Sequence, residues 1–492
     1  MTTHRQQTKL KYYTDHSTVR CKYGSGCWYL RRKICEFYHP PEDTDKSAQS
    51  AFSYRERLAK GRERFQLMTK DLSDSVVLAG PQGSNGQVDD VVDDDHSEPV
   101  RITGERVLAS FNRIDDNIIA VPGCPPKFVP PIDTLKINNS QDQRRVFPTY
   151  TFGLEPLVRA VQCMAPDFDV LGGTCDLVAN AGSLYRMFNF LANKSFITIR
   201  ADLEWRPCEN GRGTLLMQQW KSDPDHQVSY GYGESFSTAT CQFSPNLPDP
   251  LPSSFTHHRV LYYELGGLRF AVHCEADGYY DPGETSPETQ KAQKVQLPPS
   301  PPVSPKLHML TPISTGSRFS VLMDDGCSSS SVSSPTLSIK YPCGPDVPIP
   351  DEHLVEIKTY DARKLRNWKR RESLGKYNNY PYVRYKPDSQ LYFGRIQQLY
   401  ETGHEVGLFP SNVAVDNVTA RLQEWEVEHQ DDLRRLVQFV QRLCTLAAAS
   451  AARGHSRMSL VLPGTQDTAT ARNRAAKLYV RNDDVSLLPE VL

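Results

Sequence analysis

The chain has 492 residues, 38% of them hydrophobic, 36 of them proline, with 57 Lys/Arg against 58 Asp/Glu and a net charge of −1. That length holds one large domain plus modules, and the proline content beside so modest an apolar fraction predicts that part of it stays unstructured. Balanced charge excludes a global basic field, no apolar run reaches a membrane span, and neither a secretory leader nor a disulfide framework is recognisable, so the expectation is an intracellular protein, nuclear or cytoplasmic, with no membrane contact.

Residues 1–40 carry Cys21, Cys27, Cys35 and His39 in the spacing C-x5-C-x7-C-x3-H. Three thiolates and an imidazole suit a closed tetrahedral Zn²⁺ that staples a short loop and does no chemistry itself. Between and beside the ligands stand Lys22, Tyr23, Trp28, Arg31, Arg32 and Phe37, and over residues 1–39 eight Lys/Arg face two acidic residues, Asp15 and Glu36. Aromatic faces stack on unpaired bases and cations hold phosphate, so the module reads as a grip for single-stranded RNA. The stretch resembles the CCCH zinc-finger family, through the Lys-Tyr-Gly step after the first ligand and the Phe-Tyr-His-Pro ending. Membership implies single-stranded RNA as partner.

Residues 41–103 read as a helix (SAFSYRERLAKGRERFQLMTKDL) followed by a flexible acidic linker. From residue 104 the composition turns globular. ERVLASFNR and IIAVPG read as strands, residues 152–165 and 182–192 as helices, and SFITIRADLEW, GTLLMQQW, HRVLYYELG and LRFAVHCEADGYY as strands. Residues 282–335 are Pro/Ser-rich, with Ser286, Ser304 and Ser334 each before a proline. They form an expected disordered insertion open to phosphorylation or to protein partners. Structure resumes with LSIKYP and HLVEIKTYDA. A helix is expected over 389–409, another over 417–450 with Asp416 as its cap, then a strand pair, MSLVLP and KLYVR, and a tail over 483–492. The fold class predicted is α+β: a mixed, largely antiparallel sheet with flanking helices, built from 104–281 and 336–482.

Two tripeptides carry chemistry. Glu275-Ala-Asp277 and Glu356-Ile-Lys358 each lie in a predicted strand, where residues two apart share a face. Paired strands would bring three carboxylates and one ammonium together. The carboxylates Glu275, Asp277 and Glu356 suit Mg²⁺ or Mn²⁺, and Lys358 would steady charge during phosphodiester hydrolysis. Downstream, Arg363, Lys364, Arg366, Lys369 and Arg370 surround Trp368, the composition of a phosphate-contacting rim, an import signal or a solvated helix face.

The blocks LYYELGGLRFAVHCEADGYYD and HLVEIKTYDARK resemble the DXO decapping-exonuclease family, faintly but over roughly residues 104–482. The layout looks nearest to a group of fungal proteins. The resemblance implies a PD-(D/E)xK nuclease-like fold that trims RNA 5′ ends. It also implies that an E-x-D strand (Glu275, Asp277) and an E-x-K strand (Glu356, Lys358) hold the catalytic divalent metal. Two positions depart from the family. Ala181 stands where an arginine is expected. In YGYGESFSTAT, Ser237 replaces a metal-facing glutamate, and Glu234 has the opposite parity if the segment is a strand. The sequence therefore favours a zinc-dependent RNA-binding protein whose nuclease-like domain has partly degraded motifs. An active Mg/Mn-dependent RNA 5′-end hydrolase is the alternative, and a protein-interaction scaffold the next. Prenyl diphosphate synthesis is excluded, because no acidic run has the Asp-Asp-x-x-Asp spacing and mid-chain strands contradict an all-helical fold.

Overall fold

A computed structural model describes residues 66–77, 98–137, 152–281, 337–363 and 387–489, except positions 67, 70, 116, 196, 210, 221–231, 343–348, 412, 465–473 and 484. The expected zinc ligands Cys21, Cys27, Cys35 and His39, their neighbours Lys22, Tyr23, Trp28, Arg31, Arg32 and Phe37, the acidic linker up to residue 97, the Pro/Ser-rich insertion and Lys364, Arg366, Lys369 and Arg370 lie outside the described residues.

Fifteen labelled strands and six helices follow in order: β1 Leu72–Val77, β2 Ile102–Asp115, β3 Ile118–Ala120, α1 Glu155–Met164, β4 Leu177–Asn180, α2 Ala181–Leu191, β5 Ile199–Pro207, β6 Gly213–Gln219, α3 Gly233–Thr240, β7 Thr256–Leu265, β8 Leu268–Ala276, β9 Gly278–Tyr279, β10 Ser338–Lys340, β11 Leu354–Asp361, α4 Asp388–Gly394, β12 Gln398–His404, α5 Thr419–Glu428, α6 Gln430–Ala451, β14 Arg457–Leu462 and β15 Lys477–Arg481, with the two-residue strand Asp416–Asn417 counted as β13. The large sheet runs β1-β15-β14-β5-β6-β4-β8-β7-β2-β3-β10, and a second runs β13-β12-β11-β9 and on through Lys127–Phe128 to Cys241–Gln242. Most large-sheet pairs are antiparallel, while β4 is parallel to both β6 and β8. This is the α+β class expected.

Helices cover both faces of the large sheet. The buried stripe Leu433, Leu436, Val437, Val440 and Leu443 of α6 recurs at helical spacing and packs with α2 and α4 in one apolar cluster; α1 closes the other face over Val178, Leu216 and Ala271. Leu487 and Leu488, in the expected tail, are buried in that second cluster, and Leu487 N–H donates to Glu204 Oε2 at 2.7 Å. The β7–β8 hairpin turns on Gly266 and Gly267, both at positive φ, as a tight two-residue turn requires; a Cβ on Gly266 would strike Val437.

Three expected elements differ. The 389–409 helix stops at Gly394, where Arg395 takes a left-handed conformation, and the chain becomes β12, parallel to β11. The 417–450 helix divides at His429 into α5 and α6; Asp416 sits in β13 opposite Leu399, and Val418 is the cap position. YGYGESF enters a helix, α3, rather than a strand, so strand parity does not apply to Glu234.

A buried ion network holds β1 on the sheet edge. Arg200, 2% exposed, donates to both oxygens of Asp71 at 2.7 and 2.9 Å, to Asp202 Oδ1 at 2.7 Å and to the Met68 carbonyl. Asp71→Asn is expected to cost about 1–2 kcal/mol, because one charge-assisted bidentate pair is lost while Asp202 still neutralises the guanidinium. A urea midpoint unchanged from the parent would refute this.

Candidate active site

The site forms where β8 leaves the large sheet. Glu275 is the penultimate residue of β8, opposite His258 of β7. Asp277 lies one residue past the strand end, and the chain then pairs through β9 with β11 of the second sheet. The strands carrying E-x-D and E-x-K therefore belong to different sheets, and β9 is the bridge between them. Residues 278–355 separate the two motifs in sequence, yet Asp277 Oδ2 accepts the Ile357 backbone N–H at 2.7 Å.

Glu356 is 4% exposed and accepts at Oε1 from Lys358 Nζ and from Gln390 Nε2 of α4, the latter at 2.8 Å. The shared face predicted for Glu356 and Lys358 is what this contact requires. Glu275 is exposed and points into the same cavity. That cavity, about 320 Å³, is lined by Glu275, Asp277, Glu356 and Gln390. Arg113, Arg186, Tyr185 and the first residues of α2 also line it, and the Asn180 side chain accepts from Ser183 N at 2.6 Å and caps that helix. His258 and His273 complete the wall, their rings 4.8 Å apart and each stacked on Phe111.

Burial, then the adjacent Glu356 charge, raises the Asp277 carboxyl well above the usual carboxylate range. Lys358 is opposed by its own burial, but the carboxylates of Glu356 and Asp277 override that and hold its ammonium above the ordinary lysine value. Lys358 is thus a fixed cation, and Asp277 carries an electrostatic cost when ionised at neutral pH.

Among the described residues no three His, Cys, Asp or Glu side chains stand close enough to cage a metal ion. Asp277 and the buried Glu356 line the cavity together, and the exposed Glu275 lines it too. The donor set still fits Mg²⁺ or Mn²⁺, which are commonly held by one or two carboxylates, with water and substrate phosphate completing the shell. A dication would relieve the repulsion that raises Asp277.

From this follows an expected result for Asp277→Asn. The amide still accepts from Ile357. A folded-state pKa above the unfolded one means the group's contribution is present at low pH and lost as pH rises toward the folded value, so at neutral pH Asp277 opposes folding relative to a neutral side chain. The variant should melt roughly 2–5 °C higher at pH 7 and gain no further stability from added Mn²⁺. A lower midpoint, or an intact Mn²⁺ effect, would refute it.

Arg363 is exposed and bound to its neighbour Asp361, at 3.2 Å between Nη2 and Oδ2, so it is not among the cavity residues. Ala181, where an arginine was expected, does line the cavity; the guanidinium groups there come from Arg113 and Arg186 instead. Sequence reasoning missed Gln390, Gln218, Tyr185, Arg186, His258 and His273. Two of these were within reach: His273 has the parity of Glu275, and His258 is its cross-strand neighbour once the β7–β8 hairpin is drawn. Gln390 left no local signal.

Residues 100–297, fewer than half of the chain, match a family described as a domain of unknown function, DUF8563. None of the curated proteins compared matches in sequence. Among solved structures, S. pombe Rai1 is similar at 12% identity, with 78% of this chain and 95% of that one covered and a TM-score of 0.43. Candida albicans Rai1, in complex with pU5-Mn²⁺, gives 11% identity, 84% and 94% coverage and a TM-score of 0.42. K. lactis Dxo1, in complex with manganese, gives 9%, 84% and 100%, and 0.45.

Proposed function

We propose that the chain is a divalent-metal-dependent hydrolase acting on RNA 5′ ends. The observation that carries this reading is the meeting of Asp277 and Glu356, remote in sequence, in one cavity that Arg113 and Arg186 also line, with Lys358 paired to Glu356 outside the lining. Asp277 and Glu356 would hold the ion, and the bound dication would neutralise charge on a scissile phosphate. Gln390 and Lys358 fix the Glu356 carboxylate through its Oε1. Lys358 Nζ keeps its proton and offsets negative charge that builds up beside Glu356. Arg113 and Arg186 favour a polyanion over a neutral ester. The amino-terminal Cys/His stretch would target single-stranded RNA.

The test is incubation of the full chain with Mn²⁺ and 5′-triphosphate or abnormally capped RNA. Release of a 5′-end fragment or diphosphate supports the hydrolase. Intact RNA that is nevertheless bound in a salt-sensitive way supports a binding module instead, the reading favoured by the two sequence departures. No RNA affinity at low salt leaves a protein scaffold. Elemental analysis of purified protein should find about one Zn²⁺ per chain, as a single closed Cys₃His site requires. Finding none removes the zinc finger without touching the hydrolase.

A further inference from the structure

A second cavity, about 290 Å³, lies on the other side of β7. Alternation along the strand sends His258 to the first cavity and its neighbours His257 and Arg259 to this one. The walls are flat and apolar, including Pro122, Pro125, Pro248, Pro342 and Leu251. Inside are an ion pair and an imidazole. Arg259 donates to Asp351 Oδ1 at 2.6 Å and to the Gly394 carbonyl at 3.1 Å, so the charges cancel.

His257, 2% exposed, has a defined tautomer. Asn112 Nδ2 donates to the Cys124 carbonyl at 2.8 Å and to Ser254 Oγ at 2.9 Å, which makes Asn112 Oδ1 an acceptor. His257 Nδ1 lies 2.7 Å from that oxygen and must donate. Burial and the Arg259 charge keep the ring neutral, so Nε2 carries a lone pair, and it has no hydrogen bond among the described residues. Asp351 Oδ2 likewise has none and sits in a carboxylate that is partly open. The cavity thus offers two acceptors, no net charge, and room at the lower end of small-molecule sites, about one ring system.

We propose that this cavity binds one uncharged planar ring bearing an amino donor, the chemistry of a nucleobase such as adenine. The amino group donates to His257 Nε2 and Asp351 Oδ2 while the ring packs on the proline faces. A charged ligand would meet no opposite charge, and a ring without the donor would leave His257 Nε2 buried and unsatisfied. The inference is independent of the hydrolase reading, because the two cavities share no side chain.

The experiment is calorimetric titration of the full chain with adenosine, with purine riboside, which lacks the amino group, and with a short oligoadenylate. One adenosine should bind per chain, and purine riboside at least roughly tenfold more weakly. Met164→Trp, which fills the cavity from an exposed position of α1, should abolish binding without disturbing the core. Glu356→Gln should retain it. Binding of adenosine or of oligoadenylate under these controls bears the proposal out and tells a free nucleoside from a base within RNA. Binding of neither overturns it, as does equal affinity for purine riboside or indifference to Met164→Trp.

Discussion

Glu356→Gln should lower the rate of RNA 5′-end hydrolysis by at least about 10³-fold, the order of loss found when one preorganised electrostatic group is removed. Glu356 anchors Lys358, accepts from Gln390 and shares the cavity floor with Asp277. The amide keeps the shape and removes the charge. Lys358, mostly buried, then loses its nearest counter-charge, and Asp277 is left as the remaining buried carboxylate. Activity of the variant at the parental rate, with folding confirmed by its melting curve, would end the hydrolase proposal. Lys358→Met should reduce turnover more than apparent substrate affinity, because the ammonium lies behind Glu356 and outside the cavity lining. A loss confined to affinity would instead mark it as a binding residue.

Acid should destabilise the protein through His257. Burial, assisted by the Arg259 charge, pushes this imidazole down to about 3. An unfolded histidine titrates near its ordinary value, about 6.5. Between those values the unfolded chain takes up a proton that the folded chain refuses, so unfolding free energy falls as pH falls. Each pH unit is worth about 1.4 kcal/mol, or about 2 kcal/mol between pH 6.5 and 5. Urea unfolding at the two pH values measures it. In His257→Gln, which cannot take up the proton, the drop over this interval should shrink by about 2 kcal/mol. A variant with the parental pH slope would refute the assignment.

Local pattern disclosed much of this molecule. Hydrophobic spacing marked α1, α2 and α6, and two-residue alternation put Glu356 beside Lys358. What escaped depended on partners remote in sequence. QLYETGH has no strong alternation of its own and is a strand because β11 lies alongside it, so the 389–409 segment read as a helix. Gln390 reaches Glu356 only because the chain turns at Arg395 and lays α4 against β8 and α2. The change of sheet between Glu275 and Asp277 was invisible, since Gly278 and Tyr279 find their partners at Val355 and Leu354. Parity arguments hold within one strand and lapse where a strand ends.

The hairpin at Gly266–Gly267 has a consequence for how this protein tolerates length changes. Its loop fixes the phase of β7, and His257 and His258 occupy opposite sides of a single backbone. Lengthening β7 by one residue between that turn and His258 would exchange the two imidazoles, turning His258 toward the cavity of Arg259 and Asp351 and His257 toward that of Glu275 and Glu356. Codon-scale indels there are therefore far more disruptive than any point change nearby, and related chains should vary in β7 by substitution alone.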